Sequence, residues 1–263
     1  MGNLLMAALS PHPPIIIPEV GGKECAKVQN TINSLHDLSA NIVKLNPETV
    51  IVITPHSYYD PQLFTVYSEK TLEGGFSRFG APQVKLICEN DIDLIQLIQN
   101  TIKDTFGSLN KIPVGASLDH GSCVPLYFLI NAGYTGKVIV INYTALSPED
   151  HIKFGEKLSE AISLSDKNVA FIASGDLSHR LIPEAPAGYD PEGKVFDNIF
   201  VESINNGNYD AIININPALR IKAGECAFNS MMVALGLIGK KPLNNKVLSY
   251  EGPFGVGYLV ATL

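Results

Sequence analysis

The chain has 263 residues, 46% of them hydrophobic, with 19 basic against 26 acidic side chains and a formal charge of −7. That length can bury the core of a large α/β domain, and an acidic balance without any Lys/Arg run leaves no electrostatic footprint for nucleic acid. No stretch reaches the ~18 uninterrupted apolar residues of a membrane span, and the start lacks the basic n-region of a secretory signal, so the cytoplasm is the expected location.

In chain order, the run "LLMAAL" (4–9) reads as a strand and stops at "SPHPP", where prolines stiffen the backbone around His12. Residues 24–45 carry Val28, Ile32, Leu35, Leu38, Ile42 and Leu45 at helical spacing. The strand "TVIVIT" (49–54) ends at "PHS", with His56 just beyond it. Residues 63–68 and 83–88 are expected to form an added strand pair around the Gly-rich loop "EGGFSRFG". Residues 91–105 read as a second helix, and "SLDHGSCVPL" sets His120 before a third. Strand "KVIVIN" (137–142) is followed by "SPEDHIKFGEKLSEAI", which starts with a cap, a proline and two acids. Strand "NVAFIAS" (168–174) leads into "GDLSHR" with His179, and the C-terminal 18 residues read as two more strands.

Strands that are apolar on both faces and alternate with helices mean a covered, mostly parallel sheet. One domain, 1–263, is expected, since no repeat, linker or low-complexity tract interrupts the pattern. Cys25, Cys88, Cys123 and Cys226 form no C-x-x-C pair and are read as reduced.

Ligands of open α/β sheets bind beyond the carboxyl ends of the strands, where His12, His56 and His179 fall, with His120 on a nearby loop. His36 and His151, inside helical patterns, are read as solvent-facing. Each loop histidine alone is an ordinary surface residue; together they suggest imidazole ligation and proton transfer. Glu225, read as lying in the first turn of the apolar segment that follows Gly224, would on its own complement a helix dipole. With His12 and His56 it would complete two histidines and a carboxylate, a set that suits Fe(II) with open positions. Ser174, Asp176 and Tyr189 are further groups that could orient the imidazoles, although "SGD" is also ordinary turn chemistry. The loops 73–83 and 181–192 are expected to shape the pocket.

The segments "SPHPP", "TPHS", "SLDHGSCVPL", "ASGDLSHR", "GECAFNSMM" and "YEGPFGVGY" resemble class III extradiol ring-cleavage dioxygenases of the LigB type, and especially the LigB-like domain of AmmeMemoRadiSam system proteins, related to Memo. The resemblance covers nearly the whole chain. It implies a three-layer α/β/α fold around a mostly parallel mixed sheet, and often a homodimer. Relatives are often fused to a second, C-terminal domain. It implies His12, His56 and Glu225 as ligands of Fe(II), with Zn or Cu as other metals, His179 as catalytic acid/base, and His120 lining the substrate pocket as a second catalytic residue, either of the two histidines taking a phenolic proton. The implied reaction is cleavage of a catechol-like ring beside the diol by O₂, with no nucleic-acid or membrane partner. Memo-like relatives carry a cysteine in place of the acid, and ring cleavage is not expected of them. Glu225 and Cys226 are adjacent, and Glu225 is the expected ligand. Two alternatives stand beside this reading: a Memo-like metal-binding protein with a redox or partner-binding role, and a zinc-dependent hydrolase.

Overall fold

The β-branched runs become the centre of an eight-stranded sheet in the computed structural model, which describes residues 1–263. The strands are β1 (Asn3–Ser10), β2 (Thr49–Thr54), β3 (Thr65–Val66), β4 (Thr71–Phe76), β5 (Ala81–Glu89), β6 (Asn110–Lys111), β7 (Lys137–Asn142), β8 (Asn168–Ser174), β9 (Lys246–Glu251) and β10 (Tyr258–Thr262). The helices are α1 (Pro18–Gly21), α2 (Gln29–Leu45), α3 (Ile92–Phe106), α4 (His120–Asn131), α5 (Pro148–Leu164), α6 (Glu192–Asn206), α7 (Asp210–Ile213), α8 (Pro217–Ala223) and α9 (Phe228–Leu237).

The sheet order is β6-β3-β7-β2-β8-β1-β10-β9. The central strands β7, β2, β8 and β1 are parallel; β3 runs antiparallel to β7 and parallel to β6, and β10 runs antiparallel to both β1 and β9. Every residue of β2 is buried, because both faces are covered. Ile51 and Ile53 face a core built with α3, α5, α6 and α9, while Val50 and Val52 face one built with α2, α4 and the β4–β5 hairpin. This is the three-layer α/β/α fold with a mostly parallel mixed sheet.

Registers level the strand ends: Ser10 lies beside Ser174, and Thr54 beside Asn142. The loops after β1, β2 and β8 therefore leave the sheet at one height. Their common edge is where the site forms. At the opposite edge Asp91 caps α3 through the Leu94 amide at 3.2 Å. The same carboxylate binds Lys167 Nζ at 2.6 and 2.7 Å and Thr49 Oγ1 at 2.5 Å, tying α3 to the starts of β8 and β2.

The structure corrects three expectations. Residues 83–88 pair with 71–76 as a separate two-stranded sheet, whereas only Thr65–Val66 of the 63–68 run is a strand, and it joins the main sheet against β7. Gly74 and Gly75, in the segment expected to be a loop, belong to β4, and packing requires the first: a Cβ on Gly74 would sit 2.6 Å from Cys123 Sγ. The helix expected over 24–45 begins as a 3-10 turn over Gly22–Val28 before α2. His151 is fully buried, not solvent-facing. Its Nδ1 lies 2.8 Å from the Ser147 carbonyl, and Phe64 and Tyr143 pack edge-on against its ring.

Candidate metal centre

Pro11 and Pro13 flank His12 as the chain leaves β1, and the Asp176 Oδ1 accepts the His12 amide proton at 2.9 Å. His12 is 1% exposed, and its Nδ1 lies 2.9 Å from Ser174 Oγ. Ser174 spends its own proton on the Gly121 carbonyl. The hydroxyl must therefore accept from His12 Nδ1–H, which leaves the Nε2 lone pair free to face the cavity. Gly121 is required here, since a Cβ would overlap Thr54 Oγ1 and stand 3.5 Å from His12 Nδ1.

His56 arrives from the end of β2, with its Nε2 3.0 Å from His12 Nε2. The third group is Cys226, in the loop between α8 and α9, with its sulfur 3.6 Å from His12 Nε2. One ligand atom from each of His12, His56 and Cys226 lies within 4.8 Å of the others. Gly175 permits this approach, because a Cβ there would overlap Ala227 Cα. Cys226 and Asp176 are also locked by reciprocal contacts: the Cys226 amide donates to the Asp176 carbonyl at 3.1 Å, and the Asp176 amide to Sγ at 3.2 Å.

Glu225 is not brought to the two histidines. α9 begins only at Phe228, so Glu225 precedes the helix instead of occupying its first turn. Its carboxylate accepts the Phe228 amide at 2.7 Å and the Arg220 Nε at 2.8 Å. It is a helix cap and an ion-pair partner, close to the dipole role that first-turn acids ordinarily have. The signal was present in the chain: Arg220, five residues upstream, supplies the counter-charge, and Gly224 ends α8 with a left-handed φ of 64°, which puts residues 225–227 in a linker.

Burial drives the His12 imidazole down to about 3; His56, whose outer face is open to solvent, is lowered to about 4 by partial burial and by the adjacent His120, so both are neutral near pH 7 with lone pairs available. Burial, reinforced by the nearby Asp176 charge, holds the Cys226 thiol well above its ordinary value. Two neutral imidazoles and one thiol fit a soft or borderline first-row ion better than a hard one.

His179 and His120 share the cavity but stand outside that donor set. Burial pulls His179 down, yet the Asp176 carboxylate, 3.9 Å from its Nε2, and the Gly224 carbonyl outweigh this and leave it raised. His120 stacks on His56 with ring centres 4.4 Å apart. The cavity, of about 370 Å³, is further walled by Pro14, Pro186 and Tyr258. Pro186 and Ala187 come from the 181–192 loop, as expected, whereas Tyr189 is 59% exposed and lines a different depression. Asp176 is more central than sequence reading made it, since it touches His12, His179 and Cys226 together; the D-x-x-H spacing is its only local signature.

Across 97% of its length the chain is 36% identical to Protein CA_C1420 of Clostridium acetobutylicum, and it spans 56% of that relative's length. It is 26% identical to an Escherichia coli protein named 3,4-dihydroxyphenylacetate 2,3-dioxygenase, over 95% of each chain. The solved structure of uncharacterized protein JW3007 from E. coli K12 covers 98% of this chain and 99% of its own, with TM-score 0.65 and 13% identity, which establishes a shared fold. Residues 6–261 match the family described as the catalytic LigB subunit of aromatic ring-opening dioxygenase, and the chain belongs to that LigB family.

Proposed function

We propose that this chain is a metal-dependent oxidoreductase that opens the ring of a small aromatic diol with O₂, holding its metal through His12, His56 and Cys226. The observation that carries the reading is the clustering of these three donors, two of them lining the cavity that the Asp176–His179 pair also lines, at the carboxyl edge of the sheet. The LigB family and the relative named as a dihydroxyphenylacetate dioxygenase supply the reaction class. A bound redox-active ion, Fe(II) in this reading, would supply the place where diol and O₂ meet and exchange electrons.

The protein's own groups divide the remaining work. Ser174 fixes the tautomer of His12. His179, kept basic by Asp176, takes a phenolic proton from the incoming diol and returns it as the ring opens, a task for an imidazole titrating near working pH. His120 forms the wall against which the substrate ring is set, and the prolines around the cavity exclude water.

Protein reconstituted anaerobically with Fe(II) is expected to consume O₂ with one of a panel of catechols and to yield a ring-opened product. His179→Ala should keep its metal while turnover falls by roughly 10²–10⁴. Loss of metal from that variant would make His179 a ligand and remove its proton-carrying role. The Cys226 thiol favours a second reading, a soft-metal site of Memo-like character that binds copper or zinc without ring cleavage. Tight Cu or Zn binding with no O₂ uptake on any diol would select it.

A further inference from the structure

The β4–β5 hairpin carries a large apolar ring that the fold does not bury. Phe79, in the turn between the strands, is 38% exposed, and its only aromatic contact is the edge of His120, with ring centres 5.5 Å apart and planes at 66°. His120 in turn stacks on His56. His120, a wall of the cavity, thus touches both His56 and Phe79.

The Phe79–His120 contact is built on a fixed support. The Leu118 amide donates to the Glu73 carbonyl at 2.8 Å, two residues before His120. Gly74 lies so close to Leu118 and Cys123 that a Cβ would stand 2.7 and 2.6 Å from their side chains. The turn closes through the Gly80 amide on the Ser77 carbonyl at 3.2 Å, with Gly80 at φ 83°. The hairpin is therefore pressed onto the segment that carries His120, and Phe79 is held at a set distance from the pocket wall. A half-exposed phenylalanine on such a support leaves ring surface for a ligand.

We propose that Phe79 is a specificity-determining residue: it contacts an apolar substituent on the far edge of an aromatic diol whose oxygens sit at the His12–His56 end. The substrate class is then an alkyl- or aryl-substituted diol in preference to the bare ring. This rests on the aromatic-diol reading of the cavity given above.

The test is calorimetric binding, under exclusion of O₂, of catechol and 4-tert-butylcatechol to Fe(II)-loaded wild type, Phe79→Ala and Phe79→Leu. Wild type should prefer the butyl compound about tenfold, equivalent to ~1.4 kcal/mol. Phe79→Ala should lose most of that preference while catechol itself changes by less than about threefold, within what one aromatic contact contributes. Phe79→Leu should restore part of it. Phe79→Ala that keeps the wild-type preference, or weakens both ligands equally, overturns the assignment. Wild type that binds neither diol refutes the aromatic-diol reading itself, and the role of Phe79 falls with it.

Discussion

At the scale of single residues, the centre turns on which of two neighbours reaches the histidines. Cys226 lies 3.6 Å from His12 Nε2, while the Glu225 carboxylate is consumed by Arg220 and the Phe228 amide. Metal analysis after anaerobic reconstitution should find Cys226→Ser largely stripped of metal. Glu225→Ala should keep its metal but unfold more easily, by about 1–3 kcal/mol, because it removes a buried cap and leaves Arg220 without its acceptor. Protons give an independent reading of the same choice. The Cys226 thiol is protonated near neutral pH because burial and the Asp176 charge raise it, whereas His12 and His56 already hold free lone pairs. Binding one metal ion at pH 7 should therefore release about one proton, measurable by calorimetry in buffers of different ionisation enthalpy. A carboxylate ligand, ionised before the metal arrives, would release none, and that result would return the third position to an acid.

At the scale of elements, the sequence was most legible where period and burial coincide. The central strands are apolar on both faces because two cores press on them, and Ser147 with Asp150 forms the full capping box that opens α5. His12, His56 and His179 were readable because the parallel strands β1, β2 and β8 end level, so residues just past those ends meet, whereas His120 opens α4. What escaped was decided by tertiary contact. The Gly74–Gly75 pair looks like a loop until its closeness to Leu118 and Cys123 is known, and His151 looks like a polar helix position until Phe64 and Tyr143 close over it. Glu225 and Cys226 differ only in which way a three-residue linker turns, and no periodicity records that. Asp91 is a further case, a helix cap that also joins three elements. Burial would raise its carboxyl, but Lys167 and Thr49 outweigh that and hold it below the ordinary 3.8. Its contribution is thus present above pH 3.8 and lost as pH falls through the depressed value. Asp91→Ala should cost about 3–5 kcal/mol in denaturant unfolding at pH 7, since Lys167 and Thr49 are left unpaired. A change below about 1 kcal/mol would mean that this junction is not held by its ion pair.

At the scale of the whole molecule, acid stability depends on buried groups that act in opposite directions, of which His12 and Asp197 show the two signs most plainly. In the metal-free protein burial lowers His12 from 6.5 to about 3, so between those values the unfolded chain binds more protons and stability falls as pH falls. Asp197 is the reverse: burial raises it from 3.8 to about 6, even though Tyr250 donates to it at 2.7 Å and the Ser178 amide at 2.8 Å. Between pH 3.8 and about 6 the folded state takes up that proton, and stability is gained as pH falls. The two slopes oppose each other across the shared window, each approaching about 1.4 kcal/mol per pH unit at most. His120 and the buried His151, both lowered by burial, add terms of the His12 sign, and His56 adds a smaller one, discounted because its outer face is open to solvent. Wild-type apo-protein should therefore lose stability from pH 6 to 4, because Asp197 offsets only part of what the lowered imidazoles cost. His12→Gln should make the loss of stability on acidification shallower than in wild type, with His56, His120 and His151 supplying what remains. Asp197→Asn should expose the imidazole slope in full and unfold at a distinctly higher pH than wild type. Urea midpoints measured at half-unit steps from pH 7 to 4 read all three curves. Parallel curves for wild type and Asp197→Asn would mean that Asp197 is ionised in the fold throughout this range, with Tyr250 and Ser178 compensating for its burial.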